Sequence, residues 1–172
     1  MNKSLVKSAI AGGVIVFIWM VISWTVLPWH KSGMQFFSNP NQVAKVITEN
    51  TRDGGLYFLP AQSNNSEVKP YIFTVVRPEG MDYNSFKPLA ISLVIQLIAA
   101  YIIAWLVSQT KGFNYRKKVT FITVMGLFAA IVGELPAWNW MGYPAVATLL
   151  MMLDLVIAWF LAGLAMGKLL KK

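Results

Sequence analysis

The last apolar run of the chain, Gly142 to Gly167, carries a single ionisable side chain, Asp154, near its middle, and nothing else in the sequence constrains the fold as much. A carboxyl group at the centre of a membrane helix costs at least ~2.5 kcal/mol on insertion scales, so it turns toward protein or water and marks a candidate functional site. The surroundings are those of a membrane protein: 56% of the 172 residues are hydrophobic and 13% charged, against about 25% charged in an ordinary soluble domain.

Three further runs share that character. Ser8 to Pro28 follows Lys3 and Lys7, and Pro88 to Val107 and Val119 to Ala137 come after a polar interval. About 20 apolar residues span a hydrocarbon core roughly 30 Å thick, so four spans are expected, over 8–28, 88–107, 119–137 and 142–167. The first is too long for a signal-peptide core, and Trp24 to Trp29 offers no small-residue cleavage site. The expected fold class is an all-α membrane protein: a four-helix bundle with a small extracytoplasmic α+β insert, a helix plus a β-hairpin, between the first two spans. Residues 1–28, 29–87 and 88–172 divide the chain accordingly.

Charge is distributed as topology requires. The net +8 looks like a nucleic-acid signal until it is divided by position. Lys3, Lys7, Lys111, Arg116, Lys117, Lys118, Lys168, Lys171 and Lys172 all flank apolar runs, and the connection 108–118 has no acidic residue. The positive-inside rule then places both termini and 108–118 in the cytoplasm, with a bacterial inner membrane as the expected location. Trp24, Trp29, Trp138, Trp140 and Tyr143 gather at the opposite boundary, where an aromatic belt is expected.

The long loop from Trp29 to Lys87 has six basic and five acidic residues, a net charge of +1, so it is no polyanion binder. Asn39 as cap, Pro40 in the first turn and Gly54–Gly55 as a stop predict a short helix near Pro40 to Asn50. Gly55 to Ala61 and Tyr71 to Arg77 predict two strands of a hairpin, joined by a polar turn over Gln62 to Lys69. Asn64 to Ser66 matches a glycosylation acceptor, a pattern too short to weigh much.

Inside the spans each helix has one small, weakly polar face. Asp154 shares its face with Ala158 and Ala162, Glu134 with Gly126 and Ala130, Gln96 with Ser92 and Ala100, and Ser23 with Gly12, Val16 and Trp19. Faces of this kind let membrane helices approach closely and are expected to turn inward. Counted at 1.5 Å per residue, Asp154 lies roughly 15 Å below its boundary and Gln96 roughly 12 Å below its own, so the two are expected to meet. No cation is expected at that depth, and a carboxyl with no counter-charge is expected to stay protonated. Glu134 lies near the end of its span, where Pro136 is expected to break the helix; a boundary ion pair with Lys87 or His30 is one reading, the mouth of a polar path toward Asp154 another. Gly163 and Gly167, on the opposite face from Asp154, offer a second surface for a partner helix.

Three roles stay open for Asp154: a hydrogen-bond donor holding the bundle together, a partner for a cation of another subunit, or a proton- or cation-handling group. Counts limit the chemistry otherwise. With no Cys and one His, thiol nucleophiles, disulfides and two-histidine metal or haem sites are excluded within the chain. No catalytic residue, metal or cofactor is assigned. In size, span number and a β-rich insert after the first span, the chain resembles the lipoprotein signal peptidases; it departs from them in having one membrane aspartate rather than two and no Asn-x-Ala-Asp segment. The expected function is a small accessory or scaffold subunit of a membrane complex, with the lipid bilayer and other subunits or copies of itself as partners and no nucleic acid. The alternative is an oligomeric transport or ion-coupling protein using Asp154 and Glu134.

Overall fold

The computed structural model describes residues 3–60, 69–82 and 85–170. Four long helices, α1 (Lys3–Thr25), α4 (Phe86–Gln109), α5 (Tyr115–Met141) and α6 (Ala145–Leu169), are each long and apolar enough to cross a membrane. Between α1 and α4 come a one-turn helix α2 (Trp29–Ser32), α3 (Pro40–Asn50) and an antiparallel pair of strands, β1 (Gly55–Leu59) and β2 (Ile72–Val76). The chain divides into two compact units, one holding α1, α2, α4, α5 and α6, the other Gln35–Ser85.

Helix ends follow local chemistry. Asn39 caps α3 by accepting the Gln42 amide at 3.1 Å, with Pro40 in the first turn. Asn114 caps α5 in the same way through Lys117, at 3.0 Å. Gly142 ends α5 at φ 71°, the left-handed conformation glycine adopts without strain, while the Tyr143 amide reaches back to the Ala137 carbonyl. The expected break at Pro136 does not occur, and α5 continues through it to Met141. A proline costs one backbone bond, and a long apolar helix absorbs that loss. Trp138 and Trp140, expected in a connection, therefore stand on the last turns of α5, both exposed.

The helices pack in the order α4, α1, α6, α5, with α4 and α5 touching little. Small residues set the spacing. A Cβ on Gly13 would lie 2.8 Å from the Leu97 Cα, and one on Gly126 would lie 2.6 Å from the Trp159 Cβ, so the backbones of α1 and α5 come against their neighbours with no room for a side chain. Gly12 meets Met166 at equally close range. The core is correspondingly fine-grained: Val16, Ala100, Ala104, Ile122, Ala158, Ala162 and Met166 are fully buried. Many larger side chains, among them Ile95, Ile98, Phe128 and Leu149, point outward, as lipid-facing positions do.

In the second unit, β1 and β2 pair from Gly55 opposite Val76 to Leu59 opposite Ile72. Neither α3 nor either strand contains a fully buried residue. The predicted turn over Gln62 to Lys69, apart from Lys69, and the Asn64 to Ser66 triplet lie outside the described residues.

Candidate functional site

Asp154 sits on α6, 1% exposed, and among the described residues the partners of its carboxyl come from the segment Trp19 to His30. Ser23, two residues before the end of α1, places Oγ 2.7 Å from both Oδ1 and Oδ2. Trp19, one turn earlier, donates its indole N–H to Oδ1 at 3.1 Å. The chain then turns at Pro28, and α2 carries His30 back against α6, with Nε2 2.6 Å from Oδ2. Trp29 completes the set by donating to Ser23 Oγ at 2.9 Å. Trp24 lies flat on the imidazole, 4.1 Å between ring centroids and 8° between planes.

The proton positions follow from this network. Trp19 and Trp29 are donors only, and Ser23 has a single proton. If the Ser23 hydroxyl donates to Asp154 and accepts from Trp29, its second lone pair faces His30 Nε2 at 3.1 Å. Nε2 then carries the ring proton and shares it between Asp154 and Ser23. In that assignment three donors converge on the Asp154 carboxyl, and a neutral imidazole keeps Nδ1 of His30 as an acceptor. Nδ1 has no hydrogen-bond partner among the described residues, and no fully buried polar side-chain atom among them lacks one. His30 lines a cavity of about 200 Å³, and Nδ1 is its ring nitrogen not engaged by a described residue.

Serine, histidine and aspartate here make no hydrolytic relay. A relay uses the two ring nitrogens in opposite directions, one toward the aspartate and one toward the serine. In this cluster Nε2 faces both. Ser23 Oγ is also fully buried and already accepts from Trp29, so it is not presented to a substrate.

Two expectations for Asp154 are overturned. The carboxyl is not without a cationic-type partner, because His30, expected at the boundary, places Nε2 2.6 Å from Oδ2. Counting depth along each helix missed the fold-back of α2. Nor does Gln96 meet Asp154: α4 packs on α1, which separates it from α6, and Gln96 and Ser92 are half-buried on α4. Glu134 is half-buried on α5 and forms no ion pair among the described residues; its proposed partner His30 is engaged by Asp154, and Lys87 is exposed on the first turn of α4. Gly163 and Gly167 do not form a free face either. A Cβ on Gly163 would lie 3.3 Å from the Val119 carbonyl, and one on Gly167 would lie 3.3 Å from the Tyr115 ring, so α5 of this chain occupies that surface. Ala158 and Ala162 are fully buried on α6.

The sequence held one signal for the missed contact. Ser23, Trp24, Trp29 and His30 crowd around a proline at the end of the first span, a density of hydrogen-bonding side chains that an aromatic belt alone does not require. No protein-family model, curated protein or solved structure matches the chain.

Proposed function

We propose that this chain is a small, non-catalytic accessory or scaffold subunit of a membrane protein complex. It sits in a bacterial inner membrane with both termini cytoplasmic and the unit Gln35–Ser85 outside. Lys111 between α4 and α5 and Arg116, Lys117 and Lys118 in the first turn of α5 support that orientation. The observation that carries the subunit reading is one face of the hairpin. Leu56 pairs with Val75 and Phe58 with Phe73, which puts all four on the same side. Leu56, Phe58 and Val75 are 61%, 57% and 62% exposed. A two-stranded hairpin is marginal in water on its own, and an exposed apolar face is characteristic of an interaction surface. The reading does not rest on Asp154, whose hydrogen bonds are met by Trp19, Ser23 and His30 of the same chain.

A photo-crosslinking residue at Phe58, introduced in cells and followed by purification in mild detergent, tests the proposal. The expected product is one discrete protein adduct, abolished by Leu56→Ser with Val75→Ser. Adducts to lipid alone would contradict it.

The second reading, an oligomeric transport or proton-coupling protein, draws on the His30–Asp154 pair and the cavity beside it. Glu134 takes no part in that cluster. Reconstituted alone in liposomes, a transporter would give pH-dependent flux that Asp154→Asn abolishes; the subunit reading expects none.

A further inference from the structure

The cavity beside His30 lies where the end of α1, α2 and the first turns of α6 come together, and its walls include Trp24, Met34, Tyr143, Leu150 and Met151. The polar side-chain groups of the lining are the His30 imidazole, the Tyr143 hydroxyl and the Trp24 indole N–H; the rest is apolar or thioether. His30 is 6% exposed, so nearly all of its ring is enclosed, and Nδ1 is its one nitrogen not engaged by a described residue. A cavity of ~150 Å³ with apolar walls holds benzene, so this volume of about 200 Å³ accommodates one substituted six-membered ring. Aromatic edges and methionine sulfurs are favourable neighbours for such a ring. A mostly apolar cleft with a few polar groups is the usual form of a small-molecule site.

We propose that this cavity binds a phenol-class ring, which donates its hydroxyl proton in a hydrogen bond to Nδ1 of His30. The direction of that bond follows from the assigned tautomer: with Nε2 of a neutral imidazole donating toward Asp154 and Ser23, Nδ1 offers a lone pair and selects a ligand with an O–H over one with only acceptors. The site uses none of the hairpin residues and does not depend on the subunit reading. Free phenols and the headgroups of membrane-borne hydroquinones share this chemistry.

The chain contains one histidine, so protein labelled with ¹⁵N in histidine gives two ring resonances, both from His30. In lipid nanodiscs, titration with phenol is expected to move the Nδ1 resonance saturably while the Nε2 resonance stays close to its starting value; toluene, which has the ring without the donor, leaves Nδ1 in place. Met151→Trp and Leu150→Phe fill the cavity from two walls, and each should weaken the phenol response by about tenfold or more, a change of ~1.4 kcal/mol. Thermal unfolding of both variants shows whether they are folded, and the phenol–toluene contrast on the unsubstituted protein decides even where they are not. An unmoved Nδ1 resonance at saturating phenol, an equal response to toluene, or an unchanged response in both folded variants would overturn the proposal. A lower half-saturation for a long-chain hydroquinone than for phenol identifies the membrane as the source of the ligand; equal values identify the aqueous phase. Either result supports the headgroup assignment.

Discussion

His30 Nε2 lies 2.6 Å from Oδ2 of Asp154, joining the chain's one histidine to the one aspartate within its four long helices. The contact ties the segment after α1 to the middle of α6, two parts of the chain separated by more than a hundred residues. Ser23 and Trp19 tie α1 itself to the same carboxyl.

Asp154→Asn and Asp154→Ala are expected to differ. Asparagine keeps one oxygen for Trp19 and Ser23, and its amide can donate to Nε2 once the imidazole proton moves to Nδ1, so the expected loss is ~1 kcal/mol. Alanine leaves three donors facing a cavity, each costing ~1–3 kcal/mol, for a total of about 3 kcal/mol or more. Thermal unfolding in detergent reads this as a drop several degrees larger for alanine, at ~2–4 °C per kcal/mol for a chain of this size. Equal losses would mean that the carboxyl oxygens are not accepting from the side chains around them.

The glycines of α5 are expected to respond in opposite directions. A methyl group at Gly126 meets Trp159, so Gly126→Ala should destabilise by ~1–3 kcal/mol through overpacking. Gly133 has nothing within 4 Å, and Gly133→Ala should stabilise by up to ~1 kcal/mol by restricting the unfolded chain. Unfolding midpoints of the two variants on opposite sides of the parent value would bear this out.

Orientation is read by reporters that are active on one side of the membrane only. Fused after Lys172, a cytoplasmic reporter should be active; inserted between α5 and α6 at Gly142, the same reporter should be silent. Activity of an extracytoplasmic reporter after Lys172 would reject the proposed topology.

In the hairpin unit, Glu79 is held below its ordinary value of 4.5 by a hydrogen bond to its own backbone and by the Arg77 guanidinium, which donates to Oε1 at 3.3 Å. A lowered carboxyl favours the folded state above pH 4.5 and loses that contribution as the pH falls through the folded value. Arg77→Ala should move the Glu79 titration upward, toward 4.5, in a carboxyl ¹³C NMR experiment.

Much of this architecture was legible because membrane helices declare themselves by length and apolarity: Lys3–Thr25, Phe86–Gln109, Tyr115–Met141 and Ala145–Leu169 each contain most of an apolar run seen in the sequence. Asn39, Pro40 and the glycines at 54 and 55 likewise marked the ends of α3 by local chemistry. What the sequence did not settle is which helix stands beside which. Gln96 matches Asp154 in depth, yet α1 lies between their helices, and neighbour order is a property of packing that no single span encodes. Depth counted along straight spans puts His30 at the boundary, and a one-turn helix that folds back after Pro28 defeats that count. Gly163 and Gly167 looked free for a partner because a small-residue stripe does not say whose backbone it will meet; here it meets α5.

A double-mutant cycle across His30 and Asp154 tests the central contact most directly. Unfolding free energies are measured for His30→Ala, Asp154→Ala and the double variant in the same detergent. The two side chains share one hydrogen bond, so the double variant should lose ~1–3 kcal/mol less than the two single losses added together. Losses that add to within ~0.5 kcal/mol would show that the two residues act independently, and would contradict a polar cluster in which histidine and aspartate hold each other.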